Sequence, residues 1–155
     1  MNDLNIRIID LKPMRVARVR VISETPERDA WEKLRAWAKP KGLLDTIEKH
    51  PVFGFNNPAP SPDRKEYGYE FWICIEPDIE PEGEIEVKEF SGGLYAVTTC
   101  EDLTLVGENW KRLWEWVQSG NSGYKWRKTH ELEKPMNPCA SEKDLVLDLY
   151  LPIQE

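Results

Sequence analysis

The sequence predicts an α+β fold made by tandem duplication of a β-α-β-β unit. Three observations carry that prediction. A strand–helix–strand–strand order occurs twice along the 155 residues. The helix of each copy carries the pattern W-x-x-L-x-x-W, at Trp31, Leu34 and Trp37 and again at Trp110, Leu113 and Trp116. Those three pairs, and Ala17 with Ala96, all lie 79 residues apart. A two-fold repeat of this length is too long and too few-membered for a solenoid. It predicts a single pseudo-symmetric domain over residues 1–155, with repeat one at about 10–76 and repeat two at about 87–153. Antiparallel strands would line one side and two helices the other.

Each element has its own justification. Met14 to Ile22 (MRVARVRVI) alternates and is rich in β-branched residues, so it reads as a strand. Ser23 or Thr25 with Pro26 marks a helix start, and Pro40 and Gly42 mark its end, which gives a helix over about 27–38. Pro51 to Asn57 is a short strand stopped by Pro58, and Tyr67 to Glu76 (YGYEFWICIE) is the next. Glu76 to Glu89 holds seven acids and two prolines and reads as an exposed connector leading into another strand. Leu94 to Cys100 opens the second copy. Leu105 to Gln118 is its helix, stopped by Ser119-Gly120, with Trp110, Leu113, Trp114 and Val117 on one stripe. Thr129 to Lys134 and Leu145 to Ile153 are its last strands.

Composition excludes several classes. Lys plus Arg is 21 against 28 Asp plus Glu, and no basic stripe is visible, so direct nucleic-acid binding is not expected. No apolar run approaches the roughly 18 residues of a membrane span, and the first residues lack a secretory core. Cys74, Cys100 and Cys139 are odd in number and far apart, and His50 and His130 are the only histidines. Neither a disulfide framework nor a metal site is expected, nor any cofactor, and the expected location is the cytoplasm. Seven Trp, five Tyr and four Phe supply the surface from which a pocket for flat apolar ligands is made.

Residues two apart in a strand share a face. In YGYEFWICIE, Tyr67, Tyr69, Phe71, Ile73 and Ile75 read as core under a helix. Gly68, Glu70, Trp72, Cys74 and Glu76 form the other face, which reads either as a solvated surface or as a groove wall with Trp72 for stacking. The helix tryptophans read first as core. Trp114 is the exception, because its counterpart 79 residues earlier is Arg35. The same offset places Gly54 opposite Glu133 in the duplicate. There one copy offers bare backbone and the other a carboxylate, which among aromatic rings would select a cation or an N–H donor. Glu131 shares the face of Glu133, and spacing leaves both open as the pocket carboxylate. An ordinary surface glutamate on an edge strand is the competing reading.

The order of elements, the duplication, the YGYEFWICI and GGLYAV strands, the Leu132-Glu133 pair and the closing LDLYLPI resemble the GyrI-like small-molecule-binding domain. The same fold forms the effector-binding domain of AraC-type and MerR-type multidrug regulators. The resemblance covers about residues 12–153; the YGYEFW strand and the Trp-rich helix are more similar to stand-alone members than to regulator domains, and with only about a dozen residues before the first strand no helix-turn-helix is expected there. It implies a ligand groove between the halves, lined by aromatic rings, with a central glutamate that maps to Glu133. Tyr150 resembles an aromatic pocket position, and Pro135 stands where the family often has a tyrosine. The implied function is binding of hydrophobic, aromatic or cationic small molecules. One branch of the family hydrolyses strained cyclopropane rings, which makes a hydrolase with Glu133 as its catalytic acid the alternative. The member that names the family inhibits DNA gyrase, so a protein-binding inhibitor is the second alternative. A protein partner or a homodimer stays open.

Overall fold

The computed structural model describes residues 4–155. In chain order the elements are β1 (Arg7–Leu11), β2 (Met14–Ser23), α1 (Pro26–Ala38), β3 (Val52–Asn56), β4 (Tyr67–Cys74), β5 (Glu86–Phe90), β6 (Gly93–Cys100), α2 (Val106–Gln118), β7 (Lys125–Trp126), β8 (Leu132–Pro135) and β9 (Leu147–Gln154). The chain divides into two compact units. Pro13–Ser91 forms one; residues up to Lys12 together with Gly92–Glu155 form the other.

In the Pro13–Ser91 unit the strands run antiparallel in the order β3-β4-β2-β5. Pro26 sits at the first turn of α1, where its missing N–H costs nothing, and Glu27 and Asp29 meet the positive end of the helix. Asp29 accepts hydrogen bonds from the Ser23 hydroxyl at 2.7 Å and the Thr25 hydroxyl at 3.2 Å, which ties the helix start to the end of β2. Ala30, Leu34 and Ala38 recur every four residues and are buried. They pack with Ala17, Val19, Ile73 and Ile75 into one core. Burying a side chain the size of Leu34 contributes about 2 kcal/mol. The acidic connector is tied down by cations of the unit: Arg15 donates to the carbonyls of Pro77 and Ile79, Lys33 pairs with Glu84 and Lys41 with Glu82.

The second unit repeats the plan in the order β1-β6-β9-β8, again antiparallel, with β7 added to β9. Asp102 accepts from the Thr104 backbone N–H at 3.0 Å and starts the turn that leads into α2. Leu113 and Val117 are the buried residues of that helix. They pack on Ala96, Leu149, Leu151 and Ile153.

The duplication holds in the strand registers. Phe53 pairs with Trp72 and Leu132 with Tyr150, so the offset of 79 in β3 and β8 becomes 78 in β4 and β9. Trp72 therefore corresponds to Tyr150, and Glu70 to Asp148. Gly54 opposes Phe71 as Glu133 opposes Leu149, which aligns Gly54 with Glu133. The sequence reading names no strand at 7–11 or at 86–90. β1 opposes β6 with Arg7 across from Val97, and β5 opposes β2 with Glu86 across from Arg18. Shifting either pairing by 79 gives the other. Each repeat thus begins with an additional strand that pairs in the unit of the other repeat. The strand expected at 129–134 is also shorter, starting at Leu132, so Glu131 precedes it.

Candidate functional site

The two faces of β4 separate as their alternation requires. Phe71, Ile73 and Ile75 belong to the core beneath α1. Glu70 and Trp72 point the other way, but that face is neither solvated nor open. Trp72 is 2% exposed and Glu70 1%. Phe55 and Phe90 lie 5.0 Å from the Trp72 ring, and the Lys88 ammonium lies 5.0 Å from its centroid. Glu70 accepts from Arg18 Nε at 3.0 Å and Nη2 at 2.9 Å, from Trp72 Nε1 at 2.6 Å and from Asn57 Nδ2 at 3.1 Å. Burial works to raise the Glu70 pKa, but the Arg18 fork and the Trp72 and Asn57 donors outweigh it and hold the carboxyl below its ordinary value. Glu70 and Trp72 are thus parts of one closed, charge-paired cluster.

Gly54 lies on the other side of that sheet, under a ring. A Cβ at this position would lie 2.5 Å from Tyr69 Cε2, so the glycine is what lets Tyr69 cover β3. Tyr150, in the second unit, is buried on the face of β9 opposite α2. Its ring meets Tyr95 edge-on at 5.7 Å, and burial, assisted by the Asp148 charge, pushes its phenol up to about 12.

Glu131, Glu133 and Trp114 sit near α2. Glu133 opposes Leu149, a residue of the core under the helix, and its Oε2 accepts from Trp110 Nε1 at 3.3 Å. Desolvation raises the Glu131 carboxyl above its ordinary value, and the Glu133 charge adds to the shift, although the Glu131 residue as a whole is exposed. One helical turn on from Trp110, half-buried Trp114 meets the Trp126 ring edge-on at 5.7 Å. Trp126 pairs with Ile153 and Glu133 with Leu149, so they stand about 13 Å apart along β9 on its helix side. The result is a line of three indoles with two carboxylates at one end. Its chemistry suits a flat ligand carrying positive charge.

Of the residues singled out in the sequence, this unit brings Glu131, Glu133 and Trp114 to one side of its sheet and puts Tyr150 on the other. Glu70, Trp72 and Gly54 belong to the Pro13–Ser91 unit. Trp110 and Trp126 join the site although the sequence reading did not choose them. Trp110 followed the core stripe too well, and Trp126 lay in a loop with no periodicity. A separate cavity of about 690 Å³ opens between Leu4–Ile6 and the α2 residues Arg112, Glu115 and Trp116, and none of the expected residues line it. Among the described residues, no three His, Cys, Asp or Glu side chains are grouped to hold a metal, and no helix is long and apolar enough to cross a membrane.

The duplicated β-α-β-β fold is that of effector-binding domains. Residues 7–153 match the family model Cass2, integron-associated effector binding protein, and the chain belongs to that family. It is GyrI-like, a small-molecule-binding class. No curated protein matches significantly. Among solved structures, a hydrolase from Listeria innocua superposes with a TM-score of 0.69 at 10% identity, covering 99% of this chain and 94% of that one. The C-terminal domain of EcmrR gives a TM-score of 0.66 at 13% identity, with 98% of each chain covered. An integron cassette protein from the mobile metagenome of Vibrio cholerae gives 0.56 at 17% identity, covering 96% and 95%. At these identities the likeness establishes the shared fold.

Proposed function

We propose that this chain binds aromatic, cationic small molecules at the Glu131 and Glu133 carboxylates beside Trp110. The observation that carries this reading is the pair of acids two residues apart, close enough to repel, with an indole N–H on one of them. A bound cation relieves that repulsion, and the neighbouring ring faces attract it further. Glu133 is the main counter-charge because Trp110 fixes its carboxylate in place.

The test compares N-methylacridinium, a permanent planar cation, with neutral N-methylacridone of nearly the same shape. Titration calorimetry on Glu133→Gln should weaken the cation about tenfold and the neutral compound less than about twofold, as expected for losing one partly screened charge. Equal losses for both compounds, or none, would reject the assignment. The raised Glu131 pKa also favours a second reading, since a carboxyl that keeps its proton to higher pH than an ordinary glutamate is better placed to donate it during hydrolytic opening of a strained ring. The likeness to the Listeria hydrolase is the other support. Turnover of a cyclopropane-bearing alkylator that falls about a hundredfold in Glu131→Gln, with binding kept, would favour that reading.

A further inference from the structure

We propose that Trp126 determines the shape of ligand this site accepts, and that Arg127 is the positioning residue that holds it there. The inference rests on the binding reading above.

Thirteen residues separate α from β in each repeat, 39–51 in one and 119–131 in the other. The first linker folds down into two short 3-10 turns and buries Leu43 and His50. The second spends the same length differently. It lays Lys125 and Trp126 along β9 and leaves Trp126 37% exposed, against Trp114. A large indole kept partly in water invites a reason, and the residue after it supplies one.

Consecutive residues of a strand point to opposite faces. Trp126 faces α2, so Arg127 reaches across the other side of the sheet. There its Nε donates to the Ile153 carbonyl at 3.1 Å and its Nη2 to the Leu94 carbonyl at 3.0 Å. Its guanidinium lies 5.0 Å from the Tyr95 ring centroid. Its own backbone N–H donates to Pro152 at 3.1 Å, and the Gln154 amide donates to the Trp126 carbonyl at 3.1 Å. Gly93 completes the seat. A Cβ there would stand 2.7 Å from Arg127 Nη2, and its φ of +124° is one that side-chain-bearing residues rarely adopt. Two carbonyls and a ring face read by one planar fork is a task lysine performs poorly.

The loop is therefore pinned from behind while Trp126 is presented in front. A pinned indole set edge-on to Trp114 offers one ring fixed in orientation. A fixed ring gains stacking contact with a planar ligand and loses it with a tetrahedral one.

Two permanent monocations test this on the full chain: planar N-methylacridinium and tetrahedral tetraphenylphosphonium. Trp126→Ala and Trp126→Leu should each weaken N-methylacridinium about tenfold and tetraphenylphosphonium less than about twofold. Arg127→Gln should reproduce that loss of selectivity with Trp126 still present, and Arg127→Lys should fall between. The exciton couplet of the Trp114–Trp126 pair in far-ultraviolet circular dichroism should vanish in Trp126→Ala and weaken in Arg127→Gln. Thermal melting checks that each variant is folded; if Arg127→Gln is not, the two Trp126 variants and Arg127→Lys decide. Equal losses for both probes, or an unchanged ratio in Trp126→Ala or in folded Arg127→Gln, would overturn the inference. If the wild type binds both probes and Glu133→Gln weakens them while Trp126→Ala changes nothing, this inference alone fails. If the wild type binds neither, the binding reading fails and takes this one with it.

Discussion

At one equivalent position the two units place a glycine and a glutamate. In the Pro13–Ser91 unit Tyr69 lies over Gly54, and the helix side of β3 is closed by its ring. In the other unit Glu133 stands there, hydrogen-bonded to Trp110. The opposite faces diverge in a second way. Glu70 takes its guanidinium from Arg18 on β2, whereas Asp148, at the matching position, takes Arg7 from β1 at 3.0 Å and the Thr99 hydroxyl at 2.6 Å. One unit has spent its matching positions on packing and on a closed ion cluster. The other closes Asp148 in a similar way but leaves Glu133 only partly buried and Glu131 exposed.

The largest effect should come from the two tryptophans that the sequence treated alike. Trp72→Ala removes a fully buried ring held between Phe55 and Phe90 and should cost about 4 kcal/mol in urea denaturation. Trp114→Ala removes a half-buried ring and should cost less than about 1.5 kcal/mol while weakening planar ligands. If both variants cost the same, the α2 flank is core and the contrast between the units collapses.

The charge clusters should differ next. Glu70→Gln leaves partly buried Arg18 with Glu86 alone and removes the charge from the buried cluster, and should cost about 3 kcal/mol. Asp148→Asn should cost about half as much, because Arg7 is partly exposed and can turn to water. The pH dependence gives an independent readout for Glu70. Its folded pKa is held below the unfolded value, so the unfolded chain binds the proton first. The stabilisation is complete above the ordinary glutamate range and is lost as pH falls toward the folded pKa. Wild type should therefore lose stability on acidification more steeply than Glu70→Gln in chemical denaturation across that range.

How much of this was legible in the sequence follows from how local each signal is. The helices and the strands β2, β4 and β9 rest on periodicity within ten or so residues, and all were readable. β1 was not, because RIIDL is short and half exposed and its partner β6 lies some ninety residues away. β5 was hidden by its acids, since Glu86 and Glu89 look like connector until Arg18 is seen pairing with Glu86. The alternation of β4 separated Glu70 and Trp72 from the helix core, but only tertiary partners could show that their face is buried too. Glu133 emerged from the repeat, since comparing two copies reveals a substitution that one copy would conceal. Trp126 and Arg127 carried no such comparison, because the first linker follows another path.

The smallest expected effect sharpens the comparison most finely, because it concerns one proton. Desolvation and the Glu133 charge both raise the Glu131 pKa, and no counterpart of this repulsion exists at Gly54. A folded pKa above the unfolded one means that the native state binds the proton more tightly in that window. Stability should therefore fall slightly as pH rises through it, and Glu131→Gln should remove the fall. Ligand binding runs the other way. A permanent cation such as N-methylacridinium gains from the ionised pair, so its affinity should drop on acidification, beginning at a higher pH than an ordinary glutamate would allow. Titrations from about pH 7.5 to about pH 4.5 should show a loss of roughly threefold in that upper step, the size expected for one solvent-screened charge. Glu131→Gln should erase the upper step. If the upper step survives in Glu131→Gln, the two carboxylates do not share a ligand, and the site reduces to Glu133 and the indole that holds it.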